Sequence, residues 1–532
     1  MLCFSSRLTS LLNPSRPDVE ISSLFRFYFA TLFRCRARLI TETMILRLVL
    51  CTILSGVAAK KYTVYRLNIE NDAQFRMMSK LVEQSNEYNF WKEAKGVGDT
   101  ADVMVKDVLI DGFLHKVDLF NMTHKVMIDD VENLILKRSK DASPKRKERV
   151  QYDPPFKRVN FNLAKYHSFG EMINYLNSLA INYPQIVRVQ PIGTTHEGRQ
   201  IPLIKISSNK GNGQNPGIWI DGGIHAREWV SPAAVIYFID QLVTSYDTNP
   251  QIRHLVDNID WYIVPLLNPD GYEYSRSSFD PEVRLWRKNR SPAQCTTQST
   301  GVFSVPRTIC CQGVDLNRNF DWFFGQVGSS TDPCSEIYNG RFAFSEPETR
   351  AVRDFVTGLN GQIKAFMTFH SYSQILMYPF GHALRTYPND VDDLSSTALK
   401  AAQALQSQYG IKYTVGTGAD TLYPASGGSE DWAKGRMGIK YSFLFELRPD
   451  DTVAEGFLLA EREIVPTCRE TWEAIKVIAL ETVRYMAGPT QSRLQKRECV
   501  DYDNFCPYWA ENGACTAWPS MKDRCAKSCN LC

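Results

Sequence analysis

Short apolar runs alternate with amphipathic stretches over most of residues 152–486. The apolar runs, bounded by Gly, Pro or polar residues, predict buried strands. They are Ile201–Ile206, Gly217–Asp221, Ile259–Pro265, Ala365–Phe369 and Tyr441–Glu446. Helical periodicity predicts helices over residues 168–182, 232–246, 346–359, 392–409 and 465–486. Such alternation predicts a largely parallel or mixed sheet with helices on both faces.

A second folded unit is predicted upstream, over residues 60–136. Its strand-like runs are Tyr62–Leu67, Asp102–Val105 and Lys125–Ile128, and its helical stretches are residues 72–85 and 129–136. This pattern is typical of a small α+β sandwich.

The run that joins the two units, residues 137–149, is polar and strongly basic. It is either a solvated linker or a processing site, and we favour processing because Arg146 and Arg149 have the spacing of a basic convertase site. Upstream, residues 44–59 have the short apolar core and small terminal residues of a secretory signal. Residues 1–43 then form an uncertain upstream extension, and an N-terminal membrane anchor is the alternative.

Composition narrows the class of protein. The chain has 532 residues, a net charge of only +3 and 44% hydrophobic residues, which fits a globular protein and gives no sign of nucleic-acid binding. Six of its 14 cysteines lie between Cys499 and Cys532, a density that indicates a disulfide module and an oxidising compartment. Residues 487–498 form a polar linker to this module, and isolated Cys468 is predicted to be a buried thiol.

Candidate metal chemistry lies after two of the predicted strands. His225 and Glu228 follow Gly222 and Gly223, and His370 ends the strand at Phe369. Ligand sites in open α/β sheets form beyond the carboxyl ends of strands. Catalytic zinc typically takes three His or Glu ligands and leaves one position open.

Each of these signals is weak by itself. His-x-x-Glu occurs by chance, and a lone histidine at a strand end is more often structural. Glu446 ends another apolar strand, where it would act as a general base beside zinc or form a surface ion pair with Arg448.

Together these features resemble the zinc metallocarboxypeptidases of the pancreatic carboxypeptidase A/B type. The resemblance rests on segments in matching order: Gly223–Trp229, Asn268–Tyr272, Arg284–Lys288, Gly313–Asn319, His370–Tyr372, Tyr423–Gly428 and Phe445–Arg448. It implies an α/β carboxypeptidase fold with a mixed, eight-stranded-type sheet flanked by helices, preceded by an α+β propeptide sandwich and followed by a small disulfide-rich module.

The resemblance also implies the roles of individual residues. His225, Glu228 and His370 are expected to bind one Zn²⁺ per chain, and Asp315 to orient His225. Glu446 is expected to act as general base and Arg287 to stabilise the oxyanion. The residues expected to bind the substrate are Asn317, Arg318, Tyr423, Arg284 and Glu430.

Glu430 bears on which C-terminal residue is removed. An acidic residue at this position of the family goes with Lys or Arg side chains, because a buried carboxylate favours a cationic partner. The other implied pocket positions are mostly small or apolar: Thr368, Met377, Gly381, Gly418, Leu422, Ala425, Gly428 and Leu444. We therefore expect a basic preference, and the alternative is an A-like hydrophobic preference.

The resemblance extends to both ends of the chain. Residues 60–149 are similar to the inhibitory propeptide, residues 150–486 to the catalytic domain, and residues 499–532 to the ShK toxin-like (ShKT) domain. The extra loop from Cys295 to Cys310 is unusual, and a local Cys295–Cys310 disulfide is its simplest account. The disulfides that the resemblance implies are Cys311–Cys334, Cys499–Cys532, Cys506–Cys525 and Cys515–Cys529. Lys522 is followed by Asp523 and not by the tyrosine of channel-blocking toxins, so we expect the tail to bind an extracellular-matrix or surface partner.

The expected protein is thus a secreted, extracellular zymogen that an activating protease cuts at the basic linker, and that then acts on peptide or protein C-termini. One rival is a zinc amidohydrolase of acylated amino acids, against which the full set Asn317, Arg318 and Tyr423 argues. The other is a non-catalytic protein that acts through its ShKT domain, against which the presence of Glu446 and Arg287 argues.

Overall fold

The computed structural model describes residues 62–84, 87–141, 161–211, 213–298, 307–487, 501, 506–517, 521 and 525–530. The predicted upstream extension (1–43), the signal peptide (44–59) and the cleavage motif at Arg146 and Arg149 lie outside these residues. The described helices include none that combines the length and the apolar character needed to cross a bilayer.

Residues 62–141 form a four-stranded antiparallel sheet with helices. The strands are β1 (Tyr62–Asn68), β2 (Tyr88–Lys92), β3 (Thr100–Lys106) and β4 (His124–Ile128), in the order β2-β3-β1-β4. The helices are α1 (Asp72–Gln84), α2 (Ile110–Leu119) and α3 (Val131–Asp141). The α+β prediction is confirmed, although the sequence interpretation missed β2 and α2. In α2 only Phe113 and Val117 are buried, which is too sparse a pattern to stand out.

The larger unit is built on an eight-stranded mixed sheet. Its strands are β5 (Val187–Thr194), β6 (Gln200–Ile206), β7 (Gly217–Gly222), β8 (Asp260–Val264), β11 (Ile363–Ser373), β12 (Ile375–Tyr378), β13 (Thr414–Thr417) and β14 (Tyr441–Asp450), in the order β13-β12-β14-β11-β7-β8-β6-β5. The four central strands β14, β11, β7 and β8 are parallel, and β6 is antiparallel to β8. A separate hairpin pairs β9 (Gln294–Gln298) with β10 (Arg307–Cys311).

Helices cover both faces of this sheet, as predicted. They are α4 (Phe169–Asn182), α5 (Val230–Thr244), α6 (Pro250–Asn258), α7 (Pro269–Arg276), α8 (Pro281–Arg284), α9 (Pro347–Gly358), α10 (Val391–Tyr409), α11 (Gly418–Thr421), α12 (Ser429–Gly435) and α13 (Ile464–Ala487), with short 3₁₀ turns at Leu316–Arg318 and Glu461–Glu463. A further 3₁₀ turn, Asp107–Leu109, belongs to the upstream unit. Two apolar cores result, one with Phe238, Phe369 and Trp472, the other with Trp219 and Phe366. Alternate residues of β11 thus enter opposite cores, as the pleat requires.

The register of the parallel strands brings the site together. Along β11, Phe369 lies opposite Gly222 of β7, and His370 lies opposite Glu446 of β14. Because parallel strands end at the same edge of a sheet, residues far apart in sequence meet there.

The disulfides follow the predicted pairings where they are described. Bonds join Cys295 to Cys310 and Cys311 to Cys334 in the larger unit. In the tail, bonds join Cys506 to Cys525 and Cys515 to Cys529, beside helices α14 (Cys506–Glu511) and α15 (Ala514–Ala517). The predicted Cys499–Cys532 bond lies outside the described residues. Cys468 is a buried free thiol, as expected.

Candidate active site

The turn after β7 carries two of the predicted metal ligands. Gly223 has a φ of +64°, and a Cβ there would lie 2.4 Å from Leu266 Cδ1, so only glycine fits without displacement. Its backbone N–H donates to Ser231 Oγ at 2.8 Å, which ties the turn to α5. This turn directs His225 and Glu228 toward the end of β11.

Three donor groups converge at this edge of the sheet. His225 Nδ1 lies 2.8 Å from Glu228 Oε1 and 3.1 Å from His370 Nδ1. Glu228 Oε2 lies 3.2 Å from His370 Nδ1, and all three side chains are at most 4% exposed. The structure therefore brings together the three residues predicted to bind the metal.

Hydrogen bonds behind the two histidines favour metal binding. His225 Nε2 donates to Asp315 Oδ1 at 3.1 Å, which leaves the lone pair of Nδ1 facing Glu228. Thr368 Oγ1 donates to Asp221 Oδ1 at 2.7 Å and lies 3.3 Å from His370 Nε2. With Nε2 as donor on both rings, both Nδ1 atoms are free to coordinate. Two imidazole nitrogens and a carboxylate fit zinc.

Arg287 is held against the same edge by Asp315. Its Nε and Nη2 donate to Asp315 Oδ2 at 3.0 and 2.9 Å. Burial opposes the charge of Arg287, but Asp315 more than offsets this and holds the pKa of the guanidinium above its usual range. The remaining nitrogen, Nη1, does not bond to Asp315 and can therefore donate a hydrogen bond to a ligand.

Glu446 lies beside His370 with one unpaired carboxylate oxygen. Its Oε2 is buried and has no hydrogen-bond partner. Burial, with the nearby Glu228 carboxylate, raises the pKa of Glu446 to about 8. The alternative ion pair with Arg448 does not form, because Arg448 bonds to Glu463 and Glu470.

The residues predicted to bind a C-terminal carboxylate lie close to one another. Arg318 Nε donates to Gly328 O at 2.6 Å and Nη1 to Asn317 O at 3.0 Å. Asn317 Oδ1 accepts from the backbone N–H of Ser429 at 2.9 Å, so the amide nitrogen is directed elsewhere. Tyr423 lines the same cavity as Arg287 and Glu446.

Arg284, which is predicted to bind substrate, donates to carbonyls within the protein, and its role toward the substrate stays a prediction. Its guanidinium donates to the backbone carbonyls of Arg227 and Phe457, each at 3.1 Å, and lies 3.5 Å from the ring centroid of Trp229. The bond to Arg227 holds the loop after β7 in place. A buried arginine satisfies its donors on backbone carbonyls when no carboxylate is near, and sequence alone does not reveal this choice.

Glu430 lies in the first turn of α12 and faces Gly428 and Gly381 of the predicted pocket. Its Oε2 is buried without a hydrogen-bond partner, and a Cβ added to Gly428 would lie 2.8 Å from Oε1. Burial, with the adjacent Asp431 carboxylate, raises the pKa of Glu430 to about 7. Met377 and Leu444 of the sheet belong to an apolar cluster against which Leu422 packs. Thr368, also predicted to line the pocket, instead directs its hydroxyl to Asp221.

The upstream α+β unit covers this site. A cavity of about 70 Å³ is lined both by Phe90 and Glu93 from that unit and by Arg287 and Glu446. Arg227 Nη1 donates to Asn89 Oδ1 at 2.9 Å. Elsewhere, Trp91 packs edge-on against Phe457, and Arg138 bonds to Glu455.

Two residues at the site were missed from the sequence. Asp221 is a carboxylate at the end of the apolar strand β7. A buried carboxylate is costly without a partner, so its place in an apolar run could have indicated that Asp221 belongs to the site. Glu93 belongs to the covering unit and lies in the field of Arg318 and Arg287. Nothing in its local sequence marks it, because its neighbours come from distant parts of the chain.

Comparisons with known proteins agree with this geometry. The family model of zinc carboxypeptidase matches residues 172–474, that of the carboxypeptidase activation peptide matches 65–138, and the ShK domain-like model matches 498–532.

Individual relatives cover most of the chain. Carboxypeptidase A1 of Mus musculus is 36% identical over 82% of this chain and 99% of its own length. Carboxypeptidase B of Astacus astacus is 43% identical over 59% of this chain and 96% of its own. The crystal structure of carboxypeptidase A from Helicoverpa armigera superposes with a TM-score of 0.69 at 27% identity, over 81% of this chain and all of that one. The chain therefore belongs to the zinc carboxypeptidase family, as a metallocarboxypeptidase zymogen that uses one catalytic Zn²⁺ and carries the family's activation peptide.

Proposed function

We propose that the processed enzyme releases single C-terminal Lys or Arg residues from peptides and proteins. The observation that carries this proposal is the buried, unpartnered Oε2 of Glu430. A buried carboxylate without a partner is costly, and a cationic substrate side chain would provide the missing one. An A-like substrate with an apolar side chain would leave that cost in place.

Each charged group at the site has a proposed task. Glu446, with a pKa raised to about 8, removes a proton from the attacking water and passes it to the leaving amine. Arg287 offers Nη1 to the developing oxyanion, and Arg318 with Asn317 and Tyr423 binds the terminal carboxylate. His225, Glu228 and His370 would hold the zinc ion, which would supply Lewis-acid activation of the water and the carbonyl.

The test of the preference replaces Glu430. In the processed enzyme, Glu430→Gln keeps the shape of the side chain and removes its charge. We expect kcat/KM for a C-terminal Arg peptide to fall about 100-fold, since losing one partner of a buried charge pair costs roughly 2–5 kcal/mol. A matched C-terminal Phe peptide should be cleaved as well as before or better, which separates lost preference from lost chemistry.

The pH dependence gives a second readout of the same experiment. Because the pKa of Glu430 is about 7, its carboxylate is neutral below that pH and charged above it. The ratio of Arg to Phe release should therefore rise from pH 6 to pH 8 in the wild type and stay flat in Glu430→Gln. Taking the ratio cancels the titration of Glu446, which acts on both substrates. Faster release of Phe than of Arg by the wild type at pH 8 would rule out the basic preference.

We further propose that Glu93 of the activation peptide occupies the place of the substrate carboxylate in the zymogen. Burial raises the pKa of Glu93, while Arg318 and Arg287 oppose that shift, as they would for a bound carboxylate. Asn89 and Phe90, on strand β2 just before Glu93, fix this segment by accepting hydrogen bonds from Arg227.

A cleavage experiment tests the role of Glu93. After the linker is cut, the activation peptide can stay bound by its contacts alone, so activity before separation reports its affinity. Glu93→Gln should weaken inhibition by the cut peptide about tenfold, which corresponds to about 1.4 kcal/mol. Glu87→Gln, an exposed carboxylate just before β2, is the matched control and should leave inhibition unchanged. Equal inhibition by the wild type and Glu93→Gln would exclude this role.

We also propose that the zymogen is secreted and that its ShKT domain binds an extracellular-matrix or surface partner. Four disulfides among the described residues support an oxidising compartment. The tail has its own small core of Cys506, Ala514, Met521 and Cys525, as expected of a separate module.

A further inference from the structure

A second cluster of metal-binding side chains lies outside the catalytic group. His196, in the turn between β5 and β6, meets Glu346 and Glu348 at the start of α9. His196 Nε2 lies 2.9 Å from Glu346 Oε2. The potential ligand atoms of the three residues all lie within 4.8 Å of one another.

Glu348 is the residue that points to a ligand. It is fully buried at 0% exposure, and its Oε1 has no hydrogen-bond partner. Asn289 Nδ2 donates to Oε2 of both carboxylates, at 2.8 Å for Glu346 and 3.0 Å for Glu348, and so holds them side by side. Glu346 also accepts from Ser345 Oγ at 2.7 Å, whereas Glu348 has an oxygen with no donor, so the buried pair has room for a further positive charge.

The nearby cations are engaged elsewhere. Arg199 Nη1 bonds to Glu197 and Asp270, and Arg350 Nη1 donates to the backbone carbonyls of Phe344 and Ser345. Across the part of the chain that the structure describes, no Lys or Arg forms an ion pair with either Glu346 or Glu348. Burial accordingly raises the pKa of Glu348 to about 7.

The donor spacing resembles that of the catalytic group. There, imidazole nitrogens lie 2.8 and 3.2 Å from oxygens of Glu228, compared with 2.9 Å between His196 and Glu346. His196 keeps a quarter of its side chain exposed, so an ion can enter from solvent. One imidazole with two carboxylates favours Zn²⁺ or a similar transition-metal ion over Ca²⁺ or Mg²⁺, which take all-oxygen sites.

We propose that His196, Glu346 and Glu348 form a second, non-catalytic binding site for a Zn²⁺-class divalent cation. The ion links the β5–β6 turn to the first turn of α9, and Asn289 orients the two carboxylates. Because such a site exists only in the folded chain, its occupation stabilises the fold.

The test counts bound metal in the full-length zymogen. The protein is stripped with a chelator, equilibrated with micromolar free Zn²⁺ and analysed for zinc per chain. Wild type is expected to hold two equivalents, while His196→Phe and Glu348→Gln each hold one. Glu228→Gln, which weakens the catalytic site, should keep the second ion. Its Co²⁺ form should show the absorption of a nitrogen- and oxygen-liganded ion, which is lost on adding His196→Phe.

Controls separate the proposed site from adventitious binding. Glu197→Gln alters an exposed carboxylate on the same turn and should keep two equivalents. Added Zn²⁺ should raise the melting temperature of Glu228→Gln but not of the double variant with His196→Phe. One equivalent in wild type, or two in both His196→Phe and Glu348→Gln, would overturn the proposal. Glu348→Gln guards against a folding defect at His196, because both variants must lose the same ion.

Discussion

Replacing Glu446 with glutamine is expected to leave a processed enzyme that binds catalytic zinc normally and releases C-terminal residues about 10²–10⁴ times more slowly. Glutamine keeps the size of the side chain and cannot accept the proton from water. In the structure Glu446 lies beside His370 in strand register, yet no donor occupies its Oε2. The loss should appear in kcat for Arg and Phe peptides alike.

Glu336→Gln is the matched control for this experiment. Glu336 lines the same cavity and also has a buried oxygen without a hydrogen-bond partner. If removing any unpaired carboxylate from the cavity impaired the enzyme, both variants would be slow. We expect Glu336→Gln to retain most of its activity. Full activity of Glu446→Gln, with its zinc content verified, would show that another group is the base.

Replacing Arg287 with lysine is expected to lower kcat about 10²–10³-fold and to change KM little. Lysine keeps the charge but lacks the fork by which Nε and Nη2 hold Asp315 while Nη1 faces the substrate. An interaction that forms only in the transition state affects kcat and kcat/KM equally. Steady-state kinetics on one Arg peptide over a range of concentrations measures this separation.

The affinity for zinc must be followed in the same variant. Asp315 also accepts from His225 Nε2, so a lysine that releases Asp315 could disturb a metal ligand. Competition with a chelator should show an affinity close to that of the wild type, since the His225–Asp315 bond remains. A rise in KM at unchanged kcat would assign Arg287 to ground-state binding and contradict the oxyanion role.

Five strands of the larger unit (β6, β7, β8, β11 and β14) could be predicted because their apolar runs are bounded by turns, whereas β5, β12 and β13 were missed. The prediction of Ala365–Phe369 fell within β11, which the structure extends to Ile363–Ser373. The extension contains His370 and Tyr372, which are polar or amphipathic, so the apolar pattern that predicts a strand stops before them. Helix α2 of the activation peptide was missed because only Phe113 and Val117 are buried. Strand β2 was missed although Tyr88, Phe90 and Trp91 are buried, because the run is short and interrupted by Asn89.

Some residues of the candidate site could likewise be predicted from the sequence, whereas the contacts of others depend on packing. His225, Glu228, His370 and Glu446 stand next to apolar strands, so the sequence could mark them as strand-end chemistry. The substrate role of Arg284 stays a prediction, because a motif shows that an arginine is required and not which atoms satisfy it. Its donors meet backbone carbonyls of Arg227 and Phe457, which are decided by loop packing.

The class of fold, the family and the chemical types at the site could be derived from the amino-acid sequence, because hydrophobic periodicity and motifs can be recognised along the chain. Which oxygens are left without partners depends on every element packed around them, and therefore became visible in the folded protein. The tertiary structure placed Glu93 near Arg318 and Arg287, left Glu430 uncompensated, and brought His196 of a turn to Glu348 of a helix. Desolvation and charge pairing are properties of the packed interior, and they determine the chemistry that these residues can perform.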